Sequence, residues 1–221
     1  MTYALVFLAG IMATVIWWLA RQTVNVEPWV ATSGVANSVD DGSLSGAPEK
    51  VCLGIFLAVV TSLFALFISA YAMRMELSDW QRLTDPTLIW ANTALLVLAS
   101  FAMQASQSAA RSGQSAAARN RLFIGGLLAT GFLLGQALAW QQLRADGFFG
   151  IANPANAFFF LITGLHGLHL IGGLFVWART SLRLFRGAAI EDSQLSIELC
   201  TAYWHYLLLV WILLFGLLLL T

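Results

Sequence analysis

The sequence predicts an all-α integral membrane protein with six transmembrane helices, and its composition is the first observation that supports this fold class. Of the 221 residues, 59% are hydrophobic and only 10% are charged, whereas soluble domains carry about 25% charged residues. The mean hydropathy is +0.78. This composition excludes an ordinary soluble domain and a disordered chain. The formal net charge of +0 also provides no basic surface for nucleic acid.

The second observation is that the apolar residues form six long runs without Asp, Glu, Lys or Arg. A bilayer core about 30 Å thick requires about 20 such residues per spanning helix. Backbone polar groups in hydrocarbon must be paired within the protein, which favours helices. The strands of a β-barrel would instead be alternating segments of about ten residues. The predicted spans are 3–20, 51–73, 87–106, 122–140, 157–177 and 199–220.

The first span, 3–20, is either a retained helix or a cleaved signal peptide. Signal peptides begin with a basic region, but no basic residue precedes this span and Arg21 follows it, so we favour a retained helix. Residues 22–49 are rich in Ser, Gly, Val and Asp, which is typical of a flexible linker. The predicted organisation is therefore an N-terminal helix at 1–21, the linker, and a five-helix membrane domain at 50–221.

The distribution of arginine and lysine predicts the orientation, because cytoplasmic loops carry an excess of both. Eight basic residues fall on one side of the predicted membrane, namely Arg21, Lys50, Arg111, Arg119, Arg121, Arg179, Arg183 and Arg186. Three fall on the other side, namely Arg74, Arg82 and Arg144. The first side is therefore predicted to be cytoplasmic and both termini periplasmic.

Three histidines, His166, His169 and His205, are the candidate functional groups inside the spans. Transporters and proton pumps normally need carboxylates or lysines at depth, and these spans contain neither. Three imidazoles could bind zinc or copper, or serve a b-type haem. His166 and His169 are three residues apart on one helix, however, and Cys52 and Cys200 form no CxxC or CxxCH motif. We favour neutral histidines that hydrogen-bond between helices or lie near lipid headgroups.

Two motifs lie on the last two predicted helices. Residues 158–173 read Phe-Phe-Phe-Leu-Ile-Thr-Gly-Leu-His-Gly-Leu-His-Leu-Ile-Gly-Gly. Residues 202–206 read Ala-Tyr-Trp-His-Tyr, and Val210-Trp211 follows. In this order and on these helices, the two motifs resemble subunit III of the haem–copper terminal oxidases, the cytochrome c oxidase subunit III family.

Weaker similarities extend the resemblance over about 50–220, which leaves the N-terminal helix and the linker outside it. They comprise the Leu-Gly start and Ala-Tyr-Ala-Met-Arg end of residues 53–74, Asn-Thr at 92–93, and Gly-Gln-Ala with a following Trp in residues 135–140.

Three carboxylates that are common in this family are missing from the matching positions. Val60 or Thr61 stands at the position of a glutamate in the first core helix. Ala139 replaces the glutamate of a Gln-Ala-x-Glu motif, and Leu208 replaces an aspartate after the Tyr-Trp-His motif. The departures weaken the case for a proton reservoir in this chain.

The resemblance implies a cofactor-free, non-catalytic subunit of a proton-translocating cytochrome c oxidase in a bacterial inner membrane. Haem and copper would reside in partners, the catalytic subunit I and the electron-entry subunit II. The chain would pack on subunit I, hold structural phospholipids and support sustained oxygen reduction. The candidate lipid or interhelical contact residues are Arg74, His166, His169, Tyr203, Trp204 and His205. A quinol oxidase subunit III, an accessory subunit of a nitric oxide reductase and, outside the family, a b-type haem cytochrome are the alternatives.

Overall fold

The computed structural model describes Trp17, residues 47–76, Trp80, residues 88–145 and residues 154–220. Within these ranges the secondary structure is helical and no strand occurs. The helices are α1 (Ala47–Arg74), α2 (Leu88–Arg111), α3 (Ser115–Ala145), α4 (Pro154–Phe185) and α5 (Ile190–Leu220).

All five helices are long and apolar enough to cross a membrane. This confirms the prediction of an all-helical membrane protein for the last five spans. The first predicted span, 3–20, lies outside the described residues except for Trp17, which is helical.

The chain divides into two compact units, Met1–Ala72 and Met73–Thr221. All but the last two residues of α1 fall in the first unit. This helix has 28 residues, with Glu49 in its first turn and Arg74 in its last. An acidic residue at the N-terminus and a basic residue at the C-terminus both complement the helix dipole.

The second unit contains α2 to α5, which form a closed ring of four helices. α2 and α4 each pack against both α3 and α5. The interior is lined by Phe132, His166 and Trp211, one from each of three helices. The Phe132 and Trp211 rings are 4.8 Å apart in an edge-to-face arrangement. Such a geometry is favoured between aromatic rings, so it contributes to a defined packing of the interior.

Two glycines end helices of this unit in the same way. Gly113 has φ +70° and Gly187 has φ +88°, values that side chains with a Cβ rarely adopt. After α2, the amide of Gln114 donates to the Ala109 carbonyl at 2.9 Å and the Gly113 amide to Ala110 at 3.1 Å. This bonding pattern is a Schellman motif. It repeats after α4, where the Ala188 and Gly187 amides donate to Arg183 and Leu184.

The helices of the second unit extend beyond the predicted spans at the end that carries these turns. The predicted spans leave residues 107–121 and 178–198 between them. The turns occupy only 112–114 and 186–189, so the helices continue through most of both intervening segments. Hydropathy indicates where the hydrocarbon core of the membrane ends. A helix rich in alanine continues past that border because alanine has a high helix propensity.

Candidate functional site

His166 lies in the interior of the four-helix unit. Its side chain is fully buried, and its ring centroid is 5.2 Å from that of Trp211 and 6.0 Å from that of Phe132. The Trp211 indole N–H donates to the Thr93 hydroxyl at 3.0 Å. All four helices therefore contribute side chains to the surroundings of this histidine.

His169 lies one turn further along α4 and is half-buried. Its Nδ1 is 2.8 Å from the Leu165 carbonyl, so Nδ1–H donates within the helix. The His169 carbonyl accepts a second bond, because the Tyr203 hydroxyl donates to it at 3.0 Å. This bond joins α4 to α5.

Gly173 provides the space for the same contact. A Cβ at this position would lie 2.8 Å from Cε1 of Tyr203 and 2.9 Å from Cζ3 of Trp204. Trp204 is fully buried. The glycine at the end of the α4 motif thus receives the aromatic pair of the α5 motif. The structure shows that the two sequence motifs are in direct contact.

His205 lies apart from this contact, on the outer surface of α5 facing α2. Its Nε2 is 2.9 Å from Oε1 of Gln104, so Nε2–H donates to the amide carbonyl. Its Nδ1 then accepts the hydrogen of the Ser100 hydroxyl, which is also within bonding distance. His205 and Gln104 are exposed, whereas Ser100 is buried.

Sequence analysis did not identify Ser100 or Gln104 as partners of His205. The available signal was their spacing of four residues within an apolar span, which places two polar side chains on one helix face. Nothing in the sequence alone indicated that this face packs beside His205, because that requires knowing which helices are neighbours.

Arg74, the remaining candidate residue, ends α1 and is half-buried. Of the six candidates, the structure brings together His169, Tyr203 and Trp204, while His205 has a separate set of partners. Within the described ranges, no group of three or more His, Cys, Asp or Glu residues could hold a metal ion.

Fold and side-chain arrangement define a helical integral membrane protein whose two motif-bearing helices pack on one another. Comparison with known proteins then identifies the family. The family model for cytochrome c oxidase subunit III matches residues 5–220. The probable cytochrome c oxidase subunit 3 of Mycobacterium tuberculosis is 31% identical over 204 residues, covering 84% of this chain and 95% of the relative. That of Mycobacterium leprae is 31% identical over 200 residues, covering 88% and 96%.

A more distant relative supports the same assignment. Cytochrome c oxidase subunit 3 of Synechocystis is 28% identical over 179 residues, covering 77% of this chain and 75% of the relative. The chain therefore belongs to the cytochrome c oxidase subunit III family. Membership makes it a subunit III and part of an oxidoreductase complex.

The family match corrects one boundary of the sequence analysis. We placed the resemblance at about 50–220, with the N-terminal helix and linker outside it. The match begins at residue 5, so the N-terminal part belongs to the family's pattern as well. An apolar run without a polar motif offers little to recognise in a single sequence, which explains the omission.

Proposed function

We propose that this chain is a cofactor-free subunit that packs on the catalytic subunit of a cytochrome c oxidase and supports sustained oxygen reduction coupled to proton translocation. Haem and copper reside in subunits I and II in this account, and no step of catalysis occurs in this chain. The observation that carries the proposal is the family match over residues 5–220.

The interior of the second unit supports a structural role. Phe132 and Trp211 fill the space around His166 with ring contacts. The spans lack acidic side chains, and Ala139, at the position of a family glutamate, is fully buried. Such an interior suits a scaffold better than a path for protons, which normally needs carboxylates or lysines at depth.

Cytochrome c is the proposed electron donor of the complex, received by subunit II. The names of the similar proteins in Mycobacterium and Synechocystis specify cytochrome c oxidase, which favours this donor over quinol. We place the complex in a bacterial inner membrane. The end of the second unit that carries the Gly113 and Gly187 turns, which is rich in arginine, lies in the cytoplasm in this account, and both termini lie in the periplasm.

Structural phospholipids are the proposed ligands of the candidate residues. Arg74 is the last residue of an apolar helix and so lies at the depth of the lipid headgroups. Its guanidinium group can bind phosphate with paired hydrogen bonds. Replacement Arg74→Ala is expected to remove a phospholipid that co-purifies with the oxidase, as measured by lipid mass spectrometry. Arg74→Lys, which keeps the charge but loses the planar fork, should retain part of it. Unchanged lipid content in the alanine variant would contradict this role.

Deletion of the chain tests the supporting role. The oxidase without it should still begin to reduce oxygen but lose activity earlier during continuous turnover, because a stabilising neighbour of the catalytic subunit is gone. The measurement is oxygen consumption against time, normalised to haem. Equal rate and equal lifetime in the presence and absence of the chain would show that the proposal is wrong.

A further inference from the structure

Two carboxamide side chains face the interior of the four-helix unit from neighbouring helices. In α2 the buried residues recur every three or four positions, and Asn92 is one of them. In α3 the buried residues recur in the same way, and Gln136 is one of them. This spacing is typical of helices that pack around a common interior. Asn92 is 2% exposed and Gln136 is 4% exposed, so both carboxamides are shielded from lipid and from bulk water.

Asn92 and Gln136 lie at the same level of the unit. The Asn92 carboxamide packs directly on Gly135, the residue before Gln136, because a Cβ at Gly135 would overlap Asn92 Oδ1. Both residues belong to apolar runs that are predicted to span the membrane, 87–106 and 122–140. The two carboxamides therefore form a polar place inside the membrane-embedded part of the unit.

Three polar atoms of this pair have no hydrogen-bond partner among the described residues, namely Asn92 Nδ2, Gln136 Nε2 and Gln136 Oε1. The two nitrogens are donors and the oxygen is an acceptor. Buried polar groups are almost always hydrogen-bonded, because an unpaired one has lost its bonds to water without replacement. A direct bond from Asn92 Nδ2 to Gln136 Oε1 would still leave Gln136 Nε2 without an acceptor. The pair therefore needs a third group that both donates and accepts.

From this arrangement we infer that the interior of the four-helix unit binds water between Asn92 and Gln136. A water molecule accepts a hydrogen bond from an amide N–H and donates one to an amide oxygen, so water satisfies both kinds of group. Internal water typically makes about three hydrogen bonds to buried polar groups that lack other partners. A cation would engage only the oxygen, and an anion only the N–H groups. Both carboxamides are neutral, and burying an ion without a charged partner is unfavourable.

Water at this place joins α2 to α3 through side chains. Only one alignment of the two helices sets the Asn92 carboxamide beside Gln136, since a shift by one residue moves a side chain about 100° around its helix. A single buried polar contact can specify the register of packed helices in this way. The water site therefore fixes the alignment of α2 on α3.

Two aromatic rings beside the site can report on the water. Phe132 lies one turn before Gln136 on the buried side of α3. The Trp211 ring packs on Phe132 at 4.8 Å, and its indole N–H donates to Thr93, the neighbour of Asn92. Both rings are fully buried, so bulk water does not reach them.

The experiment exposes the full chain in lipid nanodiscs to an X-ray pulse and maps hydroxyl-radical products by mass spectrometry. Bound water generates radicals where it lies, and these modify the nearest side chains. We expect hydroxylation of Phe132 and Trp211. Met103 is the internal control, because it is fully buried on α2, packs on Gly125 and lies about three turns from Asn92. Methionine is oxidised readily, so equal modification of Met103 would show that radicals enter from bulk water and would overturn the inference.

Gln136→Met removes two of the three unpaired atoms and keeps the length of the side chain, so it should abolish the modification of Phe132 and Trp211. Gln142→Met makes the same change at an exposed position of α3 and should leave the modification unchanged. Unmodified rings in the parent chain would mean that the carboxamides bond to each other without water, and equal modification in Gln136→Met would place the water elsewhere; either result overturns the inference. If Gln136→Met loses its helical circular dichroism, Asn92→Leu replaces it with the same expectation. The outcome does not depend on which subunits the chain contacts.

Discussion

At the scale of single residues, the motif side chains are explained by contacts within the chain. His169 and Tyr203 are linked through a carbonyl, and His205 is linked to Ser100 and Gln104. Each set of bonds joins two neighbouring helices. Hydrogen bonds between membrane helices average about 0.6 kcal/mol in measured cases. Single losses should therefore be measurable but modest.

The Tyr203 hydroxyl provides the simplest test. Tyr203→Phe removes the bond to the His169 carbonyl while keeping the ring beside Gly173, so stability should fall by about 0.6 kcal/mol. Unfolding of the purified chain in a detergent titration measures this change. Thr130→Ala is the control, because among the described residues the Thr130 hydroxyl bonds only to the Gly126 carbonyl of its own helix. An equal loss in both variants would show that the bond between helices contributes nothing of its own.

The Ser100–His205 contact calls for a double-mutant cycle. The loss of stability in the double variant, Ser100→Ala with His205→Ala, should be about 0.6 kcal/mol smaller than the sum of the losses in the two single variants. The reason is that both changes remove the same hydrogen bond. The same detergent titration gives all three values. Strict additivity would mean that the contact between α2 and α5 is not formed in the membrane.

At the scale of helices, close approach depends on where glycine faces a neighbour. Gly135 is one such position, since a Cβ there would overlap Oδ1 of Asn92. Gly173 is another. At Gly172, its neighbour in the motif, a Cβ would meet no atom within 4 Å among the described residues. Close packing against a neighbouring helix therefore occurs at Gly135 and Gly173 but not at Gly172.

This difference predicts opposite outcomes for adjacent substitutions. Gly173→Ala should destabilise the chain by about 1–3 kcal/mol, because the methyl group overlaps Tyr203 and Trp204. Gly172→Ala should be neutral or stabilising by up to about 1 kcal/mol, because alanine is the better helix former. Thermal unfolding of the two variants compares them directly. A similar loss from both would contradict the packing of α4 on α5 described above.

The turn at Gly113 allows a test of the helix ends. Its positive φ means that Gly113→Ala should cost about 1 kcal/mol, and Gly113→Asn less, since asparagine tolerates this conformation better. Thermal unfolding of the two variants should place asparagine between glycine and alanine. Equal stability of all three would indicate that the α2–α3 turn has another conformation.

Sequence reasoning succeeded and failed for identifiable physical reasons. The five later spans were predictable because an uncharged run of about 20 residues has few alternatives to a membrane helix. The ends of the helices were not, since residues such as Arg111 and Ser115 are helical outside the apolar runs. The motifs revealed Tyr203 and His205, but not the bonds that they make. Those bonds depend on the order of helices around the ring, which short motifs do not encode.

At the scale of the whole molecule, the chain is a member of the cytochrome c oxidase subunit III family with an arginine-rich end and spans free of acidic residues. Its proposed function lies in contacts with other molecules, namely the catalytic subunit and structural phospholipids. Its contribution would then be to keep the oxidase stable during turnover, which the deletion experiment measures.

The central claim is association with a haem–copper catalytic subunit, and affinity purification of the tagged chain in a mild detergent tests it most directly. We predict that the purified material contains the catalytic subunit in a one-to-one ratio with the chain, together with the visible spectrum of haem and with bound copper. The tagged chain with Gly173→Ala, purified in parallel, shows whether a loosened α4–α5 contact weakens the association. Recovery of the folded chain without haem, copper or any respiratory subunit would contradict the account.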